Sequence, residues 1–193
     1  MGPIAGYATD FADQAVLLPL AIAVAVIFAA AGWRRGAVAW MAVIGAALGL
    51  TLLLKLAFLA CGHLLPGGVH SPSGHTAAAG AIYGGLLAIM ARHVTGQDRW
   101  ALPCAAVVAV VIGASRLVLG VHTIPEVCIG GLVGICGAMA AAKLAGPPPP
   151  EMKVRAVAAL VIAVLVLFHG FHMPAEAAIR RFAFQVWPLS TCR

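Results

Sequence analysis

Lys55, His63, His70, His75, Arg116, His122, Glu126, His169 and His172 are ionisable residues inside or beside long apolar runs of this chain. On insertion scales a charge at mid-bilayer depth costs roughly 2.5–3.5 kcal/mol, so each one calls for a reason. Two groups have a spacing that could do chemistry. In the first, Lys55 precedes Ser71-Pro72-Ser73-Gly74-His75, which opens an apolar run. A helix starting there presents unpaired backbone N–H groups and a partial positive charge, and together these bind anions. Ser73 would add a hydroxyl donor, and Gly74 would let the backbone come close. The plainer alternative is an ordinary helix start, with Ser71 or Ser73 as cap and Pro72 in the first turn. In the second group, Ser115-Arg116 ends an apolar run, His122 follows, and Glu126 lies four residues beyond it. A histidine and a carboxylate one helical turn apart can hydrogen-bond, which fixes the imidazole tautomer and leaves the other nitrogen free to attack. Here too a structural alternative stands, because Thr123-Ile124-Pro125-Glu126 fits a capping box.

The elements that must position these residues follow from composition. The chain has 193 residues, 63% of them apolar and 9% charged. A soluble domain carries about 25% charged residues, and a disordered chain needs low hydrophobicity, so both classes are excluded. Apolar runs lie at 16–32, 37–61, 74–91, 101–119, 124–144 and 156–171. They do not alternate as barrel strands would, so the expectation is an all-α polytopic membrane protein, a six-transmembrane-helix bundle forming one domain over 1–193. Asp10 and Asp13, rather than a basic stretch, precede the first run, which is read as a retained span and not a signal peptide.

The net charge of +6 is mainly a topology signal. Arg34, Arg35, Arg92, Arg99, Lys143, Lys153 and Arg155 all fall in loops on one side, cytoplasmic by the positive-inside rule, with Trp33, Trp40 and Trp100 beside them as interfacial aromatics. Arg180, Arg181 and Arg193 count against that orientation. Loops 62–73 and 120–123 then face the non-cytoplasmic side, and nucleic acid has no place as a partner. Cys61, Cys104, Cys128, Cys136 and Cys192 show no ligand spacing. Cys104, Cys128 and Cys136 read as small packing residues, and no spacing signal supports a Cys61–Cys192 disulfide. Gly45/Gly49, Gly80/Gly84 and Gly130/Gly134 put small residues on single helix faces, a pattern for close intramolecular packing. Residues 175–187 read either as an amphipathic surface helix or as a disordered tail.

Taken in order, Lys55, Pro72-Ser73-Gly74-His75, and Ser115-Arg116 with His122 and then an acid at plus four resemble the signature of the type 2 phosphatidic acid phosphatase superfamily. The resemblance covers 55–126. It implies a phosphomonoester or diphosphate hydrolase working without metal or other cofactor. By that resemblance His122 attacks phosphorus and is transiently phosphorylated, Glu126 orients it, and His75 protonates the leaving oxygen and then activates water. Lys55, Ser73, Gly74 and Arg116 hold the phosphate. Two departures stand out: Gly62-His63 replaces the family's Arg-Pro, with His63, His70 or a tail arginine as available substitutes, and Glu126 replaces Asp. The span at 156–171 and the tail 172–193 are additional to the motif region.

A site at the membrane surface suits an amphiphilic substrate, a lipid phosphate among membrane lipids, such as polyprenyl pyrophosphate, phosphatidate, phosphatidylglycerophosphate or lipid A phosphate. Two alternatives remain at this level. One is a transporter or channel with a polar histidine/arginine path, although such a path would place charges at several depths. The other is a lipid-phosphate-binding protein without turnover.

Overall fold

A computed structural model describes residues 2–61 and 71–186, and among them all regular structure is helical. Eight helices follow in order: α1 (Gly2–Asp10), α2 (Gln14–Ala30), α3 (Arg34–Cys61), α4 (Gly74–Thr95), α5 (Ala101–Val118), α6 (Ile124–Ala145), α7 (Val154–Phe168) and α8 (Ala175–Val186). A short 3₁₀ turn, Asp98–Trp100, leads into α5.

Four helical stretches are long and apolar enough to cross a membrane: Arg34–Leu59, Gly74–Thr95, Asp98–Val118 and Ile124–Ala145. The expected count of six spans is therefore not reached on length. The runs at 16–32 and 156–171 form α2, of 17 residues, and α7, of 15 residues. At 1.5 Å per residue these measure about 25 Å and 22 Å against a hydrocarbon core of about 30 Å. Local chemistry sets their ends. Asp13 caps α2, its side chain accepting from the Ala15 N–H, and Gly32 turns the chain out at φ +76°. Gly170, at φ +86°, does the same just beyond α7. Apolar side chains such as Leu53, Val110, Leu132 and Val166 project from the bundle, as expected of a protein surrounded by lipid.

The centre of the bundle is α6, which packs on α3, α4 and α5, while α2 packs on α3 and α7, α1 on α5, and α8 on α3. Glycines permit the closest approach. A Cβ at Gly130 would lie 2.4 Å from the Ser73 carbonyl oxygen, and one at Gly134 would lie 2.8 Å from that of Ala77. Opposite them α4 widens into a π turn at Gly80–Gly84, where a Cβ at Gly80 would meet the Gly134 backbone at 3.1 Å. The pairs on α4 and α6 thus pack as expected. The pair on α3 does not, since a Cβ at Gly45 or Gly49 would meet nothing within 4 Å.

Two other expectations change. Trp40 and Trp33 face the bundle interior and not the lipid headgroups: both are buried against Phe28, and the Trp40 indole N–H donates to the Ala21 carbonyl at 2.9 Å. An indole packs inside a bundle once its single donor is satisfied. Cys128 and Cys136 are exposed on the bundle surface and fill no interior gap, whereas Cys104 is half-buried. The Cys61 side chain and Cys192 lie outside the described residues, as do His63 and His70. The basic face is tied down at its edge, where Arg35 and Arg92 donate to the Leu144 and Ala142 carbonyls in the last turn of α6.

Candidate functional site

Ser73, not Ser71, caps α4. Its hydroxyl accepts from the Thr76 N–H at 3.4 Å and bonds the Thr76 hydroxyl at 2.9 Å, and the Ser73 N–H donates to the Glu126 carbonyl at 3.0 Å. The last bond joins the starts of α4 and α6. With Gly130 opposite, the two helix N-termini sit side by side, and their unpaired N–H groups face the same end of the bundle.

Glu126 links the elements of this end. Its Oε2 accepts from the Thr123 N–H at 3.0 Å, completing the return half of a capping box, and lies 2.9 Å from His122 Nδ1. Its Oε1 accepts from the Ser71 N–H at 2.9 Å. Both readings of this residue therefore hold together: one carboxylate caps α6 and orients the imidazole. Because an ionised carboxylate only accepts, Nδ1 carries the proton and the lone pair sits on Nε2. The turn bearing His122 is fixed to the end of α5 by bonds from the Leu119 N–H to the Ser115 carbonyl and from the Val121 N–H to the Arg116 carbonyl. Burial holds the His122 pKa below the ordinary 6.5, with nearby Lys55 and Arg116 acting the same way, against the opposing pull of the hydrogen bond and charge of Glu126. The shift favours the neutral imidazole, the form that keeps a lone pair on a ring nitrogen.

Two cations lie within electrostatic reach of this ring. Lys55 is 3% exposed, and its Nζ donates to the Ser71 hydroxyl at 2.9 Å. Gly74 makes room for the lysine stem, since a Cβ there would stand 3.1 Å from Lys55 Cε. Arg116 has its Nε buried without a hydrogen-bond partner among the described residues. A buried unpaired guanidinium N–H is costly, and an arriving anion would satisfy it. Its neighbour Ser115 is structural: the Ser115 hydroxyl donates to the Ile112 carbonyl at 2.7 Å and bonds the Thr9 hydroxyl of α1 at 2.8 Å. His75, in the first turn of α4, lies within electrostatic reach of Arg116, Asp13, His122 and Lys55. The structure thus brings Lys55, Ser73, Gly74, His75, Arg116, His122 and Glu126 to one end of the bundle. The arrangement suits nucleophilic attack on an anionic centre held between cations and helix N-termini.

Sequence reasoning missed three participants. Ser71 was read only as a possible cap, yet it receives Lys55 and donates to Glu126. Glu176, on α8, approaches Lys55 Nζ to 2.6 Å. Asp13 accepts from the Met173 N–H at 3.0 Å as well as capping α2. The only advance signal for Glu176 was its place among six acidic residues in the whole chain. His169 and His172 have other partners: His169 packs against the Tyr7 and Phe11 rings, and His172 contacts Asp10 at 3.1 Å. Among the described residues no three His, Cys, Asp or Glu side chains converge as a metal site would require. An apolar cleft of about 740 Å³ lies between α1, α4, α5 and α7, lined by Tyr7, Phe11, Tyr83, Leu86, Ile112 and Val161 among others, and none of the polar residues of the site lines it.

No solved structure matches the chain. A Klebsiella pneumoniae protein described as an uncharacterized 22.5 kDa protein in the cps region is 31% identical over 187 residues, spanning 93% of this chain and 90% of its own length. The family model of the PAP2 superfamily matches residues 55–147, from the buried lysine of α3 to just past the end of α6. Those residues contain both helix starts and every group of the histidine–cation cluster, and by this match the chain belongs to the PAP2 superfamily.

Proposed function

We propose that the protein is an integral-membrane phosphatase acting on a lipid phosphate or pyrophosphate through a phosphohistidine, without metal. The observation that carries this reading is the His122–Glu126 contact at 2.9 Å, which leaves Nε2 as nucleophile beside two cations. In the proposed first step Nε2 attacks phosphorus and the leaving oxygen departs with a proton from His75. Lys55, Arg116, Ser73 and the Gly74 N–H take up the charge on the equatorial oxygens, the electrostatic work on which phosphoryl transfer depends. His75 then draws a proton from water, whose oxygen attacks the phosphohistidine and releases phosphate with His122 restored.

The apolar cleft between α1, α4, α5 and α7 supports an amphiphilic substrate, because its lining offers a hydrocarbon tail an apolar wall. The basic residues beside α3, α4, α6 and α7 support an active site on the non-cytoplasmic face of the plasma membrane. In the same reading α2 and α7 cross as well, in one domain of six crossings.

The test is phosphate release by detergent-purified protein in excess EDTA from a panel of lipid phosphates and pyrophosphates, beside His122→Ala and His75→Ala. Release by the wild type and loss in both variants is the expected result. Release that survives both substitutions, or none from any lipid, overturns the reading. A cysteine probe in residues 62–70 that reacts only from the cytoplasm would reverse the orientation.

A further inference from the structure

The Glu176 carboxylate stands where several donors converge. Lys55 Nζ reaches its Oε2 at 2.6 Å, the Ser71 hydroxyl lies 3.5 Å from Oε1, and Arg180 Nε lies 3.6 Å from the same oxygen. His122 and Arg116 are within electrostatic reach of it. Burial alone would raise the Glu176 carboxyl, but the hydrogen bond and charge of Lys55, with Arg180 and His122 adding to them, hold it below its ordinary range. A planar carboxylate bracketed by an ammonium, a hydroxyl and a guanidinium has the donor set of one edge of a phosphate. Glu176 and Arg180 rest on α8, beyond the matched residues 55–147, whereas Lys55 and Ser71 lie within them.

The helix does not arrive there by chance of a mobile tail. The Met173 N–H donates to Asp13, His172 contacts Asp10, and α8 packs on α3. These contacts hold the start of α8 over the two helix N-termini. Lys55 is almost fully buried, so it needs an anion nearby at all times; an unpaired buried ammonium would be far more costly than the pair. The Lys55 ammonium has three N–H donors, two of them taken by Ser71 and Glu176, so a phosphate reaching the third would stand beside the Glu176 carboxylate. Two anions at one ammonium repel each other, and the side chain with room to move is the one that yields. Glu176 is 44% exposed at its side chain, and Arg180 57%, so both can move within the surface without opening the core.

We propose that α8 completes the phosphate site: Arg180 is its third cation, and Glu176 is an internal anion that substrate phosphate displaces from Lys55. The inference rests on Lys55 and Ser71 bordering the phosphate site, and extends that site to residues that no motif marks. In the free protein Glu176 keeps Lys55 charged and aimed. On binding, phosphate takes the ammonium and the guanidinium, and the carboxylate turns outward to solvent.

The two residues are one helical turn apart and pair with each other, so a merely structural role would move both variants in the same direction. The proposal requires opposite signs. Binding of inorganic phosphate to full-length protein in detergent is measured by ³¹P line broadening for wild type, Glu176→Gln, Arg180→Ala and Arg181→Ala. Glu176→Gln should bind roughly fivefold more tightly, Arg180→Ala roughly fivefold more weakly, and the neighbouring Arg181→Ala like wild type, the size expected of partly exposed charge pairs. Shifts in the same direction for the first two, equality of Arg180→Ala with Arg181→Ala, or no phosphate binding in any of them would overturn it. Lipid turnover is assayed in parallel. The opposite-sign pattern without turnover leaves the site assignment standing and removes only the hydrolase reading.

Discussion

Glu126 and Glu176 bring carboxylates to the same end of the bundle under contrasting conditions. Glu126 is 5% exposed, sits in the first turn of a 22-residue helix at the centre of the fold, and accepts from two backbone N–H groups while it holds His122. Glu176 lies on a peripheral helix, is 44% exposed at its side chain, and among the described residues is held by side chains, those of Lys55, Ser71 and Arg180. Backbone donors fixed by helix starts do not move without unfolding the helix, whereas long side chains exchange partners at small cost. A group that orients a nucleophile must be of the first kind. A group that gives way to substrate must be of the second.

Substitutions can break this contrast, and the largest effect is expected at the proposed nucleophile. His122→Ala should lower kcat by at least about a thousandfold with the protein still folded, as judged by an unchanged melting temperature and elution volume. Next is the wall that fixes Glu126. Gly130→Val inserts atoms where a single Cβ would already stand 2.4 Å from the Ser73 carbonyl, and should destabilise by about 1–3 kcal/mol or more. Gly45→Val, facing open space, should stay within about 0.5 kcal/mol in the same melting experiment. Glu126→Gln should reduce kcat by about 10- to 100-fold with little change in KM, since orientation matters more in the transition state than in binding.

Smaller effects appear in pH profiles. The His122 pKa is held below 6.5, and the neutral ring is the active form, so kcat/KM should fall on the acid side only below pH 6.5. Glu126→Gln removes an influence that raises this pKa and should move the acid limb lower still. At α8 two groups titrate in opposite senses. The His172 pKa is raised by Asp10, so its contribution to docking is complete below 6.5 and is lost as pH rises through the raised value. The Glu176 pKa is lowered, so its contribution is complete above 4.5 and is lost as pH falls through the lowered value. Amide exchange of Ala175–Val186, corrected for intrinsic rates, should therefore be slowest between pH 4.5 and 6.5. A profile flat in pH would mean that neither contact holds α8.

The fixed half of the site was legible in the sequence and the yielding half was not, for a physical reason. Ser73, Gly74, His75, Arg116, His122 and Glu126 lie at or beside helix ends, where local rules of capping, turn formation and i,i+4 spacing act between near neighbours, and Lys55, inside α3, stood out as a charge in an apolar run. Helix boundaries such as 74 and 124 followed from the same rules. Contacts set by tertiary packing carry no local mark: Lys55 meets Glu176 across 121 residues, and Thr9 meets Ser115 across 106. Helix α1 had no apolar run to announce it, and α8 showed only amphipathic character. Trp40 was read as facing the headgroups because arginines lie near it in sequence, while packing on Phe28 and a bond to the Ala21 carbonyl turn it inward.

The anchoring of α8 also has a consequence for the order in which the chain is made. Met173, His172 and Glu176 take partners that precede them by 160, 162 and 121 residues, so every receptor for this helix has left the ribosome long before the helix itself exists. During synthesis from the N-terminus the histidine, the arginine and the buried lysine assemble first and stay uncovered, and the cover arrives last. A ribosome paused before α8 emerges would display the candidate site still uncovered.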